Sequence, residues 1–155
     1  MRVRIRTEIS SDFDEDEIVI RMKEQSERAR QIEEAIEGAL RGGECLALIY
    51  GAREYIVEKH RILFFESANG KVYAHTSDRI YTVGYRLFEL ENLMPSSFVR
   101  VSKSVIVNVM QIESMHRELV GNGELTLRGC DKRVYFSRTY FKLLQYKIEE
   151  MRLRK

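Results

Sequence analysis

The sequence has 155 residues, of which 44% are hydrophobic and 32% charged, so it is long enough to bury one ordinary core. It shows neither an apolar run long enough to cross a membrane nor a secretory signal, and we expect a cytoplasmic protein without membrane contact. Its two cysteines, Cys45 and Cys130, suggest neither a disulfide framework nor a four-ligand metal site. Reduced thiols are expected.

The net charge of +2 conceals an asymmetry along the chain. Residues 1–40 contain seven basic and eleven acidic residues, whereas the rest of the chain carries a net charge of +6. The segment 131–155 is the most cationic, with eight basic and three acidic residues. A basic surface attracts nucleic acid and anionic membranes alike, so charge alone does not identify the partner.

The N-terminal segment predicts a small β-β-α extension over residues 1–42. Residues 2–7 alternate arginine with apolar or small residues, as a strand with one solvated face does. Residues 17–22 predict a second strand or the first turns of the next helix. Residues 24–40 have the apolar spacing of an amphipathic helix, which Gly42 and Gly43 end. Such a unit has little core, so we expect it to dock on the rest of the chain or to pair with a second copy.

From residue 43 onward the chain alternates short strands with turns, which is typical of an all-β domain. The predicted strands span residues 45–50, 54–57, 62–67, 71–76, 79–83, 111–119, 124–128 and 133–136. Asn69 and Gly70 between two of them form the strongest hairpin signal in the sequence. A short helix is predicted over residues 85–94. A second begins near Ser137 with an apolar stripe of Tyr140, Leu144, Ile148 and Met151.

Residues 98–115 predict a long strand, a turn near Asn108 and the start of another strand. Strict alternation places Val99, Val101, Val105 and Val107 on one face. Lys103 would then fall among the valines, so the backbone must bulge there or the strand must begin after it. The displaced triplet Ser102, Lys103 and Ser104 would suit an anionic partner. Equally, Lys103 could be an edge lysine that blocks strand aggregation.

The sequence contains no recognisable catalytic constellation. His60, His75 and His116 are scattered and have no second ligand at metal spacing, and a structural or surface role is favoured for His75. The glycines at 121 and 123 lack the spacing of a nucleotide-binding loop and predict a hairpin turn. We therefore expect no enzyme activity, no cofactor and no metal.

The start of the last helix carries an unfavourably placed cation. Ser137 is a good N-cap, which leaves Arg138 in the first turn, at the positive end of the helix dipole. That position becomes favourable if an anion binds, because helix N-terminal amides bind phosphate and an arginine can clamp it or reach a guanine edge. The alternative is a solvated arginine without a role.

Three exposed tips are thus predicted, at Asn69–Lys71, Ser102–Lys103 and Ser137–Arg138. With the segments around them, these tips resemble the LytTR family of DNA-binding domains. The matching segments are residues 62–76, 85–98, 99–115 and 134–144, and the resemblance covers residues 46–148. It implies a mainly β fold, α+β overall: an elongated antiparallel arrangement of about ten short strands with a short internal helix and a C-terminal helix. We accordingly expect an extension over residues 1–42 and a DNA-binding domain over residues 43–155.

The resemblance implies a sequence-specific transcriptional regulator that inserts loops, not a recognition helix, into successive major grooves of double-stranded DNA. It implies a dimer on repeated half-sites. The positions that correspond to base contacts are the hairpin tip Asn69, Gly70 and Lys71, with Lys103 and Arg138. The candidates for phosphate contacts are Ser102, Ser104, Ser137 and Lys142. Asn108 is expected to be a structural turn residue.

Two departures from the family pattern limit what can be transferred. The hairpin tip is shorter than in members with a histidine there, and Lys103 replaces the more usual Asn or Arg, so the DNA target does not transfer. Residues 1–42 are too few for a receiver domain, which implies control by abundance, dimerisation or an unidentified partner protein. The alternative function is a protein-interaction module whose basic surface is incidental.

Overall fold

The computed structural model describes residues 4–40 and 43–153. The chain divides into two units, residues 1–36 and 37–155, and the division falls inside the first helix. The predicted domain boundary after residue 42 therefore stays a prediction. The helices are α1 (Glu27–Leu40), α2 (Leu87–Leu93) and α3 (Arg138–Leu153), with 3-10 turns at Lys59–Arg61 and Val109–Gln111. None of the helices in the described ranges is both long and apolar enough to cross a bilayer.

All the strands of the described residues lie in the second unit. They are β1 (Cys45–Tyr50), β2 (Arg53–Glu58), β3 (Phe64–Ala68), β4 (Lys71–His75), β5 (Ile80–Val83), β6 (Phe98–Ser102), β7 (Val105–Asn108), β8 (Ile112–Arg117), β9 (Gly123–Leu127) and β10 (Val134–Phe136). Seven form one sheet in the order β2-β1-β5-β4-β3-β7-β6, and three form a second in the order β10-β9-β8. The ladders are antiparallel. The predicted antiparallel, α+β fold is confirmed.

The two strands predicted in the N-terminal extension are absent from its described residues. Residues 4–7 and 17–22 are neither helical nor paired, and residues 2 and 3 lie outside the described ranges. A two-stranded ribbon is marginal without a face to bury, and residues 11–25 are all exposed. The helix is confirmed as α1. Its N-cap is Ser26, whose Oγ accepts a hydrogen bond from Ala29 N at 3.1 Å.

The large sheet separates two apolar cores. On one face α2 closes a core with Leu90, Phe65 and Ile106. On the other face the small sheet and α3 close a second core with Val101, Leu125 and Leu144. In α3 the apolar stripe is right for Leu144, Ile148 and Met151, but Phe141 is the buried residue of its first turns, where the sequence had indicated Tyr140.

The single long strand predicted from residue 98 is instead a hairpin. Strands β6 and β7 are joined by a two-residue turn at Lys103 and Ser104, and their register shifts between Arg100 and Ser102. The valines of both strands nevertheless face the second core, as predicted: Val99, Val101 and Val107 are buried, and Val105 is partly buried. Because the turn and the bulge preserve the alternation of the valines, Lys103 is the one residue whose place in the pattern marks the turn.

Asn108 is a structural turn residue, as predicted. Its side chain is buried, its Nδ2 donates to the carbonyl of Ile62 at 3.1 Å, and its Oδ1 accepts from Met110 N at 3.1 Å. The first hydrogen bond ties the end of β7 to the segment before β3, and the second caps the 3-10 turn that follows β7. A buried amide with both ends satisfied specifies one backbone path.

Candidate nucleic-acid interface

The first predicted tip is the hairpin between β3 and β4. Asn69 and Gly70 form its two-residue turn with φ angles of 54° and 74°, and Ala68 pairs with Lys71 across its base. Positive φ at both positions matches the twist of the flanking strands and explains the Asn-Gly pair. Lys71, the first residue of β4, is exposed beside this tip.

The second tip is the turn between β6 and β7, and it lies next to the first. Ser67 N donates to the carbonyl of Ser104 at 2.8 Å, which continues the pairing of β3 with β7 to the end of both strands. Since β3 also pairs with β4, both turns lie at the same end of the sheet. Lys103 is exposed, while Ser102 Oγ accepts from Ser104 N at 3.3 Å within the turn.

Arg100 braces this second tip, a role that the sequence had not suggested. Its Nε donates to the carbonyl of Ser102 at 2.9 Å, and its Nη2 donates to the carbonyl of Lys103. Its Nη1 forms an ion pair with Glu91 of α2 at 3.0 Å. From the sequence, the alternation of β6 showed only that Arg100 lies on the face opposite the valines. Its partners lie across a bulge and on another element, which sequence spacing does not reveal.

The third tip is the N-terminus of α3. Ser137 N donates to the carbonyl of Val101 in β6 at 2.9 Å, and Arg138 N donates to Oδ1 of Asn122 at 2.9 Å. A Cβ atom on Gly121 would lie 2.8 Å from Cγ of Arg138, so the arginine stem lies directly on this glycine. The β8–β9 hairpin therefore supports the start of α3, and Asn122 is a second residue that sequence reasoning missed.

Three of the predicted serines share one groove. Ser102, Ser104 and Ser137 line a depression of 620 Å³ between the β6–β7 turn and the start of α3. Asn69, Lys71, Lys103, Arg138 and Lys142 do not line it. The structure thus joins the second and third tips through a shared groove and the first and second tips through a backbone hydrogen bond.

A buried histidine crosslinks the wall of this groove. His75 is 3% exposed, stacks on Phe64 with ring centroids 4.0 Å apart, and has its Nε2 2.6 Å from Oε1 of Glu66. Lys132, between β9 and β10, contacts the same carboxylate oxygen at 2.7 Å. The structural role favoured for His75 is confirmed. In residues 4–40 and 43–153, no three His, Cys, Asp or Glu side chains are grouped to hold a metal.

Burial and pairing shift the pKa values in this cluster. Burial lowers the pKa of His75 below its ordinary value, and the neighbouring Glu66 carboxylate only partly offsets that effect. Burial raises the pKa of Glu66, but hydrogen bonds and positive charge from Lys132 and His75 outweigh it and hold that pKa below its usual value. The cluster is therefore built around a charged Glu66–Lys132 pair and a neutral His75 near pH 7.

The cations predicted to bind DNA have no carboxylate partner in the part of the chain that the structure describes. Lys71, Lys103, Arg138 and Lys142 are all exposed, and none forms an ion pair within the described ranges. By contrast, Arg133 pairs with Glu124 at 3.1 Å, as Lys132 pairs with Glu66. A cation without a carboxylate partner keeps its full attraction for phosphate.

Comparisons with known proteins agree on one family. Residues 52–149 match the family described as the LytTr DNA-binding domain. Over 138 residues the chain is 30% identical to the sensory transduction protein LytT of Bacillus subtilis (strain 168). This alignment covers 88% of this chain and 57% of that protein. Over 94 residues it is 33% identical to an uncharacterized HTH-type transcriptional regulator of Staphylococcus aureus (strain NCTC 8325 / PS 47), covering 61% of this chain and 63% of that one. The chain thus spans less than two thirds of either relative.

The fold agrees with a solved member of the same family. The LytTr DNA-binding domain of a Bacillus cereus response regulator superposes with a TM-score of 0.64 at 24% identity, covering 68% of this chain and 96% of that domain. In the part of the chain that the structure describes, a strand always separates successive α-helices. The chain belongs to the LytTR family of DNA-binding domains.

Proposed function

We propose that this chain is a sequence-specific transcriptional regulator whose tips enter the major groove of double-stranded DNA. The observation that carries the proposal is the frame of backbone hydrogen bonds that joins neighbouring tips, Ser67 to Ser104 and Val101 to Ser137. The frame holds exposed cations on rigid supports. The family is one of DNA-binding domains, and one relative is named a sensory transduction protein and another a transcriptional regulator.

Each tip has a role that follows from its chemistry. Arg138 can donate two hydrogen bonds to O6 and N7 of guanine, and Lys103 can donate to the same edge but cannot read adenine with a bidentate pair. Asn69 and Lys71 present an amide and an ammonium from the first tip. We assign phosphate contacts to Ser102, Ser104, Ser137 and Lys142. The hydroxyl of Ser102 can still donate while it accepts from Ser104 N.

We further propose that two copies bind two half-sites. One copy offers few base contacts, and a two-fold dimer doubles them on a repeated site. The segment 1–42 is our candidate for dimerisation, since Ile18 and Val19 are exposed and Ile32 is partly exposed on α1. A regulator of this kind works on the chromosome, so we place it in the cytoplasm.

Selection from a random double-stranded DNA pool at moderate salt tests the proposal. The wild type should enrich a repeated motif, and the Lys103→Ala/Arg138→Ala variant should lose that motif. The matched control is Arg53→Ala/Arg152→Ala, which removes two exposed cations elsewhere, Arg53 being on β2 at the opposite edge of the large sheet from β6 and Arg152 in the last turn of α3. The control should select the wild-type motif.

Two selection results would contradict the proposal. If the wild type enriches nothing and binds DNA only weakly and in a strongly salt-dependent way, the chain is not a sequence reader. That result would favour the alternative, a protein-interaction module with an incidental basic surface. If both double variants lose the motif to the same extent, net charge and not the two tips determines binding.

A further inference from the structure

The β8–β9 hairpin ends in an apolar tip that neither core accounts for. Leu119 is fully exposed and Val120 is 63% exposed. The turn that carries them is ordered by two backbone hydrogen bonds, from Glu118 N to the carbonyl of Asn122 at 2.8 Å and from Gly121 N to the carbonyl of Glu118 at 3.0 Å. Two adjacent aliphatic side chains are thus presented to solvent on a fixed support.

This apolar tip lies beside Arg138. The stem of Arg138 lies on Gly121, the residue after Val120, and its backbone amide is bound by Asn122. Consecutive Cα atoms are about 3.8 Å apart, and stacked bases repeat about every 3.4 Å along a strand. A base pair within reach of the Arg138 guanidinium therefore has neighbours within reach of Leu119 or Val120.

The chemistry of the tip selects what it can contact on DNA. Residues 118–123 contain one acidic residue, Glu118, and no basic residue, so the tip is unsuited to phosphate. In the major groove the apolar group that a base pair presents is the C5 methyl of thymine. Aliphatic side chains on a loop beside a guanine-reading arginine match that group.

We propose that Leu119 and Val120 read thymine by contacting its methyl group next to the base pair bound by Arg138. The inference rests on the proposed DNA-binding function and names part of its sequence preference. Specificity at this position then arises from burial of a methyl group, which adds to the hydrogen bonds of Arg138 and needs no polar partner.

The test replaces thymine by deoxyuridine, which removes only the methyl group. In the site obtained by selection, single substitutions next to the base pair whose preference Arg138→Ala abolishes should weaken wild-type binding about fourfold, the effect of one buried methyl. The Leu119→Ser/Val120→Ser variant, which leaves no methyl group on the tip, should bind both DNAs with one affinity. Ile56→Thr is the matched control, because Ile56 is 70% exposed on the edge strand β2, and it should discriminate as the wild type does.

Several results would overturn the inference. Equal wild-type affinity for thymine and deoxyuridine sites would do so, as would a double variant that still discriminates between them. A variant that loses affinity equally for both DNAs would show that the tip supports Arg138 or contacts another part of the DNA. Leu119→Asn/Val120→Asn, which keeps side chains of similar size without a methyl group, repeats the comparison if the first double variant melts at a lower temperature. A failure of the proposed function is distinct, because no site would be selected at all.

Discussion

Arg138 combines an exposed guanidinium with a stem that rests on Gly121, so its position is fixed while its charge stays free. We expect Arg138→Ala to weaken binding to the selected site by about 1–3 kcal/mol and to change binding to random DNA little. The reason is that a bidentate contact with guanine is lost on the specific site alone. Fluorescence anisotropy titrations at one salt concentration measure both affinities.

Lys142 is the matched residue for that experiment because it lies one helical turn after Arg138 on α3 and is also exposed. If it contacts phosphate, Lys142→Ala weakens binding to all DNA similarly and reduces the salt slope by about one unit. Equal losses for Arg138→Ala on specific and random DNA would make Arg138 a phosphate contact as well. An unchanged slope would remove Lys142 from the interface.

At the scale of elements, the start of α3 depends on a residue of another hairpin. Asn122→Ala removes the acceptor of Arg138 N, so we expect the free energy of unfolding to fall by about 0.5–1.5 kcal/mol. Affinity for the selected site should also fall, because Arg138 loses its support. Urea denaturation and DNA titration measure the two effects. Asn92→Ala, an exposed position on α2, is the control and should leave both unchanged; equal effects of the two variants would contradict the capping role.

The cluster of Glu66, His75 and Lys132 makes stability depend on pH. The pKa of His75 is lower in the folded than in the unfolded protein, so the unfolded state binds more protons once the pH falls below the ordinary histidine value of 6.5. Stability is therefore fully present above that pH and decreases as the pH falls. The lowered pKa of Glu66 adds a second loss below its ordinary value of 4.5.

Thermal melting of the wild type and of His75→Gln between pH 7.5 and pH 5.5 measures the first loss. Glutamine cannot titrate, so we expect the variant to be less stable at neutral pH but to show a flatter profile in this range. Asn92→Ala is the control, because Asn92 is exposed and the substitution changes no titratable group, so it should leave the profile of the wild type unchanged. Parallel profiles of wild type and His75→Gln would show that His75 is not the group responsible.

Elements whose boundaries coincide with turn chemistry were predictable from the sequence. The strand Cys45–Tyr50 and the Asn69, Gly70 turn were found because local residues determine them. The β6–β7 hairpin was not, because valine alternation continues across its turn. The prediction of the N-terminal strands was wrong for the opposite reason. Residues 4–7 alternate as a strand does, but in the structure they pair with no other strand.

The candidate site divides in the same way. Exposed tip residues such as Lys103 and Arg138 were found by their unfavourable positions in strand or helix patterns. Arg100 and Asn122 were missed because their contacts join elements far apart in sequence, to Glu91 and to the backbone of Arg138 respectively. A single sequence shows which side chains do not fit a strand or helix pattern. The residues that hold those side chains in position lie far away in the sequence, so only the structure identifies them.

At the scale of the whole molecule, we propose that residues 1–42 hold two copies together. Deleting residues 1–42 leaves the family-matched residues 52–149 intact. We expect the deletion to convert a dimer into a monomer and to reduce affinity for a two-half-site DNA without changing the preferred half-site. Analytical ultracentrifugation and a repeated selection measure these effects. A truncated chain that is still dimeric would place the dimer interface within residues 43–155.

The central claim is that separate loops read base edges in the major groove. The most direct measurement is binding to the selected site with each guanine replaced in turn by 7-deazaguanine, which removes the N7 acceptor from the major groove and leaves base pairing intact. We predict losses at neighbouring guanines within each half-site, because the hydrogen bond from Ser137 N to the carbonyl of Val101 holds the Arg138 and Lys103 tips side by side. Arg138→Ala and Lys103→Ala should each abolish the loss at their own guanine. Undiminished binding at every substituted guanine would contradict the account.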